Sequence, residues 1–238
     1  MYAYQTFVET EKAGYIIRQW IASSLYDRIR FVSRLSFEEV HFYILHKNST
    51  RPFLSPIEKK WIAFQLLNAL RDMRNRSLCH GDIKSENVFV TSWNWVYLCD
   101  FASSYKPTWL PLDDPADFSF YFDVAGRRAC YIAPERFYTQ GQGEVDGEKE
   151  RKRRGVADSV EGYGGKREGK VTEVMDVFSA GCVVAEMFLE GTLFTLSQLF
   201  KYREGEYKVD AALAVIEDAG VQVTVNLFFQ SLSPFTSF

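Results

Sequence analysis

The sequence predicts an α+β fold that is mostly helical, with a small β portion at its N-terminal end. Three observations predict it. Two short β-like runs, Tyr2 to Val8 and Gly14 to Trp20, flank the charged linker Glu9-Thr10-Glu11-Lys12-Ala13, which is a hairpin signature. Residues 55–78 open as a helix should, with Ser55 as N-cap, Pro56 at the first helical position and Glu58 completing a capping box. Residues 173–190 carry Val174, Val177, Phe178, Val184, Met187 and Phe188, with Gly191 beyond the end, and read as a second long helix.

The segments between these elements follow in order. Residues 21–31 are less regular. Within 55–78, Trp61, Phe64, Leu67, Leu70 and Met73 recur every three residues, close to the helical period. Val88 to Val90 and Trp95 to Cys99 flank Thr91-Ser92-Trp93-Asn94 and predict a small hairpin. Residues 100–140 read as loop, punctuated by Pro107, Pro111, Pro115 and Pro134. Residues 141–170 are dominated by glycine and charge and read as a disordered surface insertion; the basic run from Lys149 to Arg154 belongs to it as a solvated stretch. Residues 195–219 read as shorter helices. The tail from Val221 shows no clean period.

Composition narrows the function classes. Hydrophobic residues make up 47% of the chain and charged residues 25%, which suits a globular core. A net charge of -3 implies no general attraction to nucleic acid or anionic membrane. Cys79, Cys99, Cys130 and Cys182 form no C-x-x-C pair, so a structural zinc site is not indicated, and scattered single cysteines suit a reducing compartment. No run of 18 apolar residues is present, so no transmembrane segment is expected.

The chemistry lies in one ordered set of motifs. His80-Gly81-Asp82-Ile83-Lys84-Ser85-Glu86-Asn87 matches the pattern H-R-D-x-x-x-x-N at His, Asp and Asn. Thirteen residues after Asn87 comes Asp100-Phe101-Ala102, at the place of a D-F-G metal-binding turn. Ala133-Pro134-Glu135 follows as A-P-E, and then Asp176-Val177-Phe178-Ser179-Ala180-Gly181 opens the second long helix. Each motif alone is weak. Eight specified positions in this order match by chance on the order of once in 10¹⁰ trials, taking about one in twenty each. Phosphoryl transfer from ATP needs a group to orient the acceptor hydroxyl, oxygen ligands for Mg²⁺, and positive charge on the moving phosphoryl. Asp82 fits the first role, Asn87 and Asp100 the second, and Lys84 the third.

These motifs resemble those of the protein-kinase fold, and a Lys at position 84 is typical of its serine/threonine branch. The stretch from His80 to Phe137, with Trp93-Asn94-Trp95 and Pro115-Ala116-Asp117-Phe118, is similar to the regulatory serine/threonine-kinase subunit of the class III phosphatidylinositol 3-kinase complex. Phe178 to Glu186 and Leu196 to Leu199 continue the likeness. The resemblance implies an α+β protein-kinase-like fold: a helical C-lobe with a truncated β N-lobe. Residues 1–30 would be the remnant of the N-lobe, 31–49 an atypical insertion, 50–219 the C-lobe including the insertion at 141–170, and 220–238 an atypical tail. It implies ATP and Mg²⁺ as cofactors and a protein substrate. It also implies partnership with the lipid-kinase catalytic subunit and an autophagy coiled-coil subunit. The location implied is cytoplasmic, peripheral on endosomal, Golgi-derived or autophagic membranes. Roles in autophagy and vacuolar sorting follow from the same likeness.

Four departures from the kinase pattern keep a second reading open. No glycine-rich phosphate loop precedes the catalytic loop, and neither Lys12 nor Lys47 sits in a V-A-I-K strand. Gly81 stands for the Arg of H-R-D, which implies no control through a phosphorylated loop. Ala102 stands for the Gly of D-F-G, and its Cβ restricts that turn. Arg128 stands where many serine/threonine kinases place a Thr that steadies the catalytic Asp. The second reading is a catalytically weak or inactive pseudokinase scaffold that assembles the lipid-kinase complex.

Overall fold

The computed structural model describes residues 4–30, 54–103, 105–139 and 169–230. The insertion expected at 31–49, nearly all of that expected at 141–170 with its basic run, and the end of the tail lie outside the described residues.

The N-terminal hairpin forms as its sequence dictates. Strands β1 (Tyr4–Glu9) and β2 (Gly14–Arg18) pair antiparallel, with Glu9 opposite Gly14. Thr10 closes the turn by donating from Oγ1 to the Ala13 carbonyl at 2.9 Å. A short helix α1 (Leu25–Arg30) follows, capped by Ser24 and Asp27 and anchored by Leu25 and Ile29.

Helix α2 (Pro56–Arg74) carries the expected capping box: Ser55 accepts from the Glu58 amide, and Glu58 accepts from the Ser55 amide at 2.8 Å. Its core face is not the stripe of threes. Ile62, Leu66 and Met73 are buried, whereas Trp61 and Phe64 stay 41% and 55% exposed. Steps of four and seven follow the 3.6-residue turn; steps of three drift off the buried face.

Strands β3 (Val88–Val90) and β4 (Val96–Leu98) form the expected small hairpin. Its turn is held by Asn94, which is left-handed at φ +58°. Asn94 donates to Glu58 of α2 at 2.9 Å, accepts from Arg28 of α1 at 3.2 Å, and receives Gln65 on its carbonyl at 2.7 Å. One small amide thus joins three elements and fixes the hairpin that leads into Asp100.

Residues 100–140 are less loop-like than their prolines suggest. Strand β5 (Leu110–Pro111) pairs parallel with β6 (Phe137–Tyr138), and helix α3 (Ala116–Tyr121) lies between them in sequence. Pro115 precedes that helix, where a missing N–H costs nothing, and Phe118 buries its inner face.

Helix α4 (Glu173–Leu189) is the central axis and is buried along most of its length. It ends on Glu190 in the left-handed conformation at φ +52°, so Glu190 rather than Gly191 makes the turn out. Helices α5 (Leu196–Arg203) and α6 (Val209–Leu213) follow. The tail then departs from expectation: residues Ala219–Gln230 form helix α7. Val221, Val225, Phe228 and Phe229 are its buried residues, at helical spacing. Phe229 packs edge-on against Phe178 and Phe194, and a Cβ at Gly181 would come within 2.7 Å of Phe228. The bare Gly181 backbone therefore lets α7 cross α4 closely.

No helix among the described residues is long and apolar enough to cross a membrane. All four cysteines are free thiols.

Candidate active site

The loop from His80 to Asn87 is positioned from beneath by helix α4. Asp176, in its first turn, accepts the His80 amide at 2.6 Å and the Gly81 amide at 2.9 Å. Burial raises the Asp176 carboxyl above its usual range, against the pull of those two amides. From the other side Arg136, which directly follows Ala133-Pro134-Glu135, enters the core almost fully buried. Its guanidinium donates to the carbonyls of Gly81, Thr108 and Pro107 at 2.7 to 2.8 Å. Burial lowers the Arg136 pKa to about 10, so the group stays charged at neutral pH.

His80 is fully buried and hangs the loop on the Asp100 turn. Its Nδ1 accepts the Asp82 amide at 3.2 Å, so Nε2 carries the proton and donates to the Cys99 carbonyl at 2.8 Å. The ring lies 4.4 Å from that of Phe101, and the His80 carbonyl accepts the Ala102 amide at 2.8 Å. Burial pushes the His80 imidazole down to about 4.

Three of the four residues singled out from the sequence meet at the Asp82 carboxylate, and Asp100 is joined to them through Cys99. Asp82 is 3% exposed. Asn87 donates from Nδ2 to the Asp82 carbonyl at 2.8 Å and to its Oδ2 at 3.2 Å. Lys84 brings its Nζ to 3.5 Å from the same Oδ2 and donates to the Phe122 carbonyl at 3.0 Å. The Asn87 carbonyl receives both the amide and the thiol of Cys99, whose sulfur also lies 3.6 Å from Asp100 Oδ2. Asp100 sits at φ +60° and its exposed carboxylate pairs with Arg18 of β2 at 3.2 Å.

The donor set suits Mg²⁺. Asn87 commits its Nδ2 inward, which leaves Oδ1 without a partner among the described residues, and Asp100 offers an accessible carboxylate. Two hard oxygens match a cation that keeps water and phosphate as its other ligands. No cluster of three or more His, Cys, Asp and Glu residues forms a metal site among the described residues.

Two of the departures find local reasons. Gly81 lies at φ +82°, and a Cβ there would meet the Ser103 backbone at 3.1 Å. Ala102 is buried and absent from the left-handed residues, so its Cβ is compatible with the turn. Arg128 is exposed at φ +59°, with its amide on Asp123 at 3.0 Å. The cation that meets Asp82 most closely is Lys106, with Nζ 2.6 Å from Oδ2.

Sequence reasoning missed Lys106, Arg136 and Arg127. Arg127 stacks 3.7 Å over the Tyr26 ring and pairs at 2.6 Å with both Glu86 of the loop and the fully buried Glu186 of α4. Glu186 also accepts the Tyr131 hydroxyl. Only a basic pair, Arg127-Arg128, marks this knot in the sequence, and basic pairs usually lie on the surface.

Comparison with curated proteins identifies the relatives of this chain. The chain is 45% identical over 223 residues to the serine/threonine-protein kinase VPS15 of Arabidopsis thaliana, a match covering 93% of the chain and 12% of that protein. It is 45% identical over 208 residues to VPS15 of Saccharomyces cerevisiae, covering 87% and 12%. The chain belongs to the VPS15 kinase family. The VPS15 of Schizosaccharomyces pombe is 43% identical over 215 residues, covering 90% of the chain and 10% of that protein. The chain thus spans about a tenth of the length of these VPS15 relatives. No family model matches it. Its fold is the protein-kinase-like α+β class, mostly helical with few short strands.

Proposed function

We propose that the chain supplies the catalytic lobe of a serine/threonine protein kinase, transferring the γ-phosphoryl group of ATP to a protein hydroxyl. The observation that carries this reading is the convergence of Lys84 and Asn87 on the buried Asp82, with Asp100 linked through Cys99. Asp82 accepts the proton of the substrate hydroxyl as its oxygen attacks the γ-phosphorus. The bond from that phosphorus to the ADP oxygen breaks, and the proton stays on Asp82 until released to solvent. Lys84 stabilises charge on the moving phosphoryl. Asn87 Oδ1 and the Asp100 carboxylate would hold Mg²⁺, which supplies charge neutralisation across the phosphates when bound.

The family likeness extends the reading to the whole protein. It would act as the regulatory subunit of the class III phosphatidylinositol 3-kinase complex, beside the lipid-kinase catalytic subunit and an autophagy coiled-coil subunit. Its work would be autophagy and endosomal or vacuolar sorting, at the cytoplasmic face of those membranes.

A pseudokinase scaffold is the second reading, favoured by Arg18, which holds the carboxylate a metal would need. Asp82→Asn in the full-length protein separates the two. A kinase loses phosphotransfer by about 10²–10⁴-fold, the usual value of a positioned general base. Phosphotransfer unchanged by Asp82→Asn removes Asp82 from the mechanism.

A further inference from the structure

Asp82 uses its two oxygens unequally. Oδ2 receives Asn87 at 3.2 Å, Lys84 at 3.5 Å and Lys106 at 2.6 Å. Oδ1 takes no hydrogen bond or ion pair among the described residues. One oxygen is therefore anchored and the other left open, as a group that must receive a hydroxyl proton requires. Lys106 does not obstruct that oxygen; it helps aim it.

The two lysines also set the charge of the site. Both side chains are largely buried, 13% exposed for Lys84 and 14% for Lys106. The backbone of Lys106 is fixed by its amide on the Ala102 carbonyl at 3.0 Å, and its ammonium rests 5.1 Å over the Phe122 ring. Phe122 also holds Lys84 through its carbonyl. Two ammonium groups on one carboxylate leave one positive charge in excess, in a place with little water to screen it. The nearby His80 is neutral at physiological pH and adds none. Such a surplus attracts an anionic oxygen group to the space beside Asp82.

We propose that Lys106 is a second phosphoryl-binding lysine, paired with Lys84 across Asp82, and that the two together recognise the terminal phosphate of a nucleoside triphosphate. This rests on the kinase reading above and adds to it a cation supplied by the segment after Asp100. The terminal phosphate sits between the ammonium groups, and Asp82 Oδ1 faces the acceptor hydroxyl.

The test is calorimetric titration of the full-length protein with Mg·ATP and with Mg·ADP. Lys106→Met keeps an apolar, unbranched side chain and removes the ammonium that faces Asp82 and the Phe122 ring. A lost charge-assisted contact should weaken ATP binding about tenfold or more, with ADP binding within about twofold of wild type. Lys106→Arg should keep the preference for ATP. Should the Met variant fail to fold, Lys106→Gln is read in its place. Equal weakening for both nucleotides, no weakening, or tighter ATP binding overturns the role of Lys106 while the kinase reading stands. A wild-type protein that binds neither nucleotide overturns both.

Discussion

Arg136 donates from Nη1 to the carbonyl oxygen of Gly81 at 2.7 Å, so the residue after Ala133-Pro134-Glu135 grips the catalytic loop at the position where kinases usually place an arginine. The direction of the contact is reversed. In H-R-D the loop reaches out to a phosphorylated segment; here the segment reaches into the loop with a charge built into the sequence. Arg136→Met should leave the carbonyls of Gly81, Pro107 and Thr108 without their donor in a buried place. Each such loss costs about 1–3 kcal/mol, so the expected destabilisation is about 3 kcal/mol or more, read as a lower denaturation midpoint.

Gly81→Arg, which restores H-R-D, should harm rather than help. The new side chain must adopt φ near +82° and meet the Ser103 backbone. Left-handed strain of this kind costs about 1–3 kcal/mol. Thermal unfolding of the variant should begin at a lower temperature, with no gain in phosphotransfer.

His80 should titrate near 4 rather than at its ordinary value of 6.5. Above pH 6.5 the imidazole is neutral in both folded and unfolded chains and contributes no pH dependence. Below 6.5 the unfolded chain takes the proton first, so stability falls with pH, by up to about 3 kcal/mol from this group at pH 4. Nitrogen-15 NMR of the ring should show the Nε2–H tautomer at pH 6 and a midpoint near 4. A midpoint near 6.5 contradicts the buried, hydrogen-bonded ring.

Arg127→Ala should be among the most destabilising single changes in the chain. It leaves Glu186, which is wholly buried, without its cation. Breaking one side of a buried pair costs about 3–5 kcal/mol. Replacing Arg127 and Glu186 together by Met and Leu should recover part of that loss in equilibrium unfolding.

Much of the site was legible in the sequence because its chemistry depends on spacing within one loop and one turn. His80, Asp82, Asn87 and Asp100 come together because local hydrogen bonds close over short separations. The capping box at Ser55 and both hairpins were legible for the same reason. What the sequence hid acts over distance. Lys106 and Arg136 look like ordinary surface cations until the fold buries them against Asp82 and three carbonyls. Helix α7 was hidden by competing periods: Val221, Val223 and Val225 alternate as in a strand, while Val221, Val225 and Phe228 follow a helix turn. Burial against Gly181 and Phe178 favours the helix. Trp61 and Phe64 mislead in the opposite sense, being large and apolar yet exposed.

Asp100 and Asn87 would hold a metal beside Asp82, and the most direct measurement of this is manganese binding in the presence of ATP, read by electron paramagnetic resonance on the full-length protein. Asp100→Ala should weaken the protein-bound manganese–ATP signal by about two orders of magnitude or more, and Asn87→Ala by a smaller factor, while Asp82→Asn leaves it nearly unchanged. Manganese–ATP binding that survives Asp100→Ala at wild-type affinity would contradict the site as drawn.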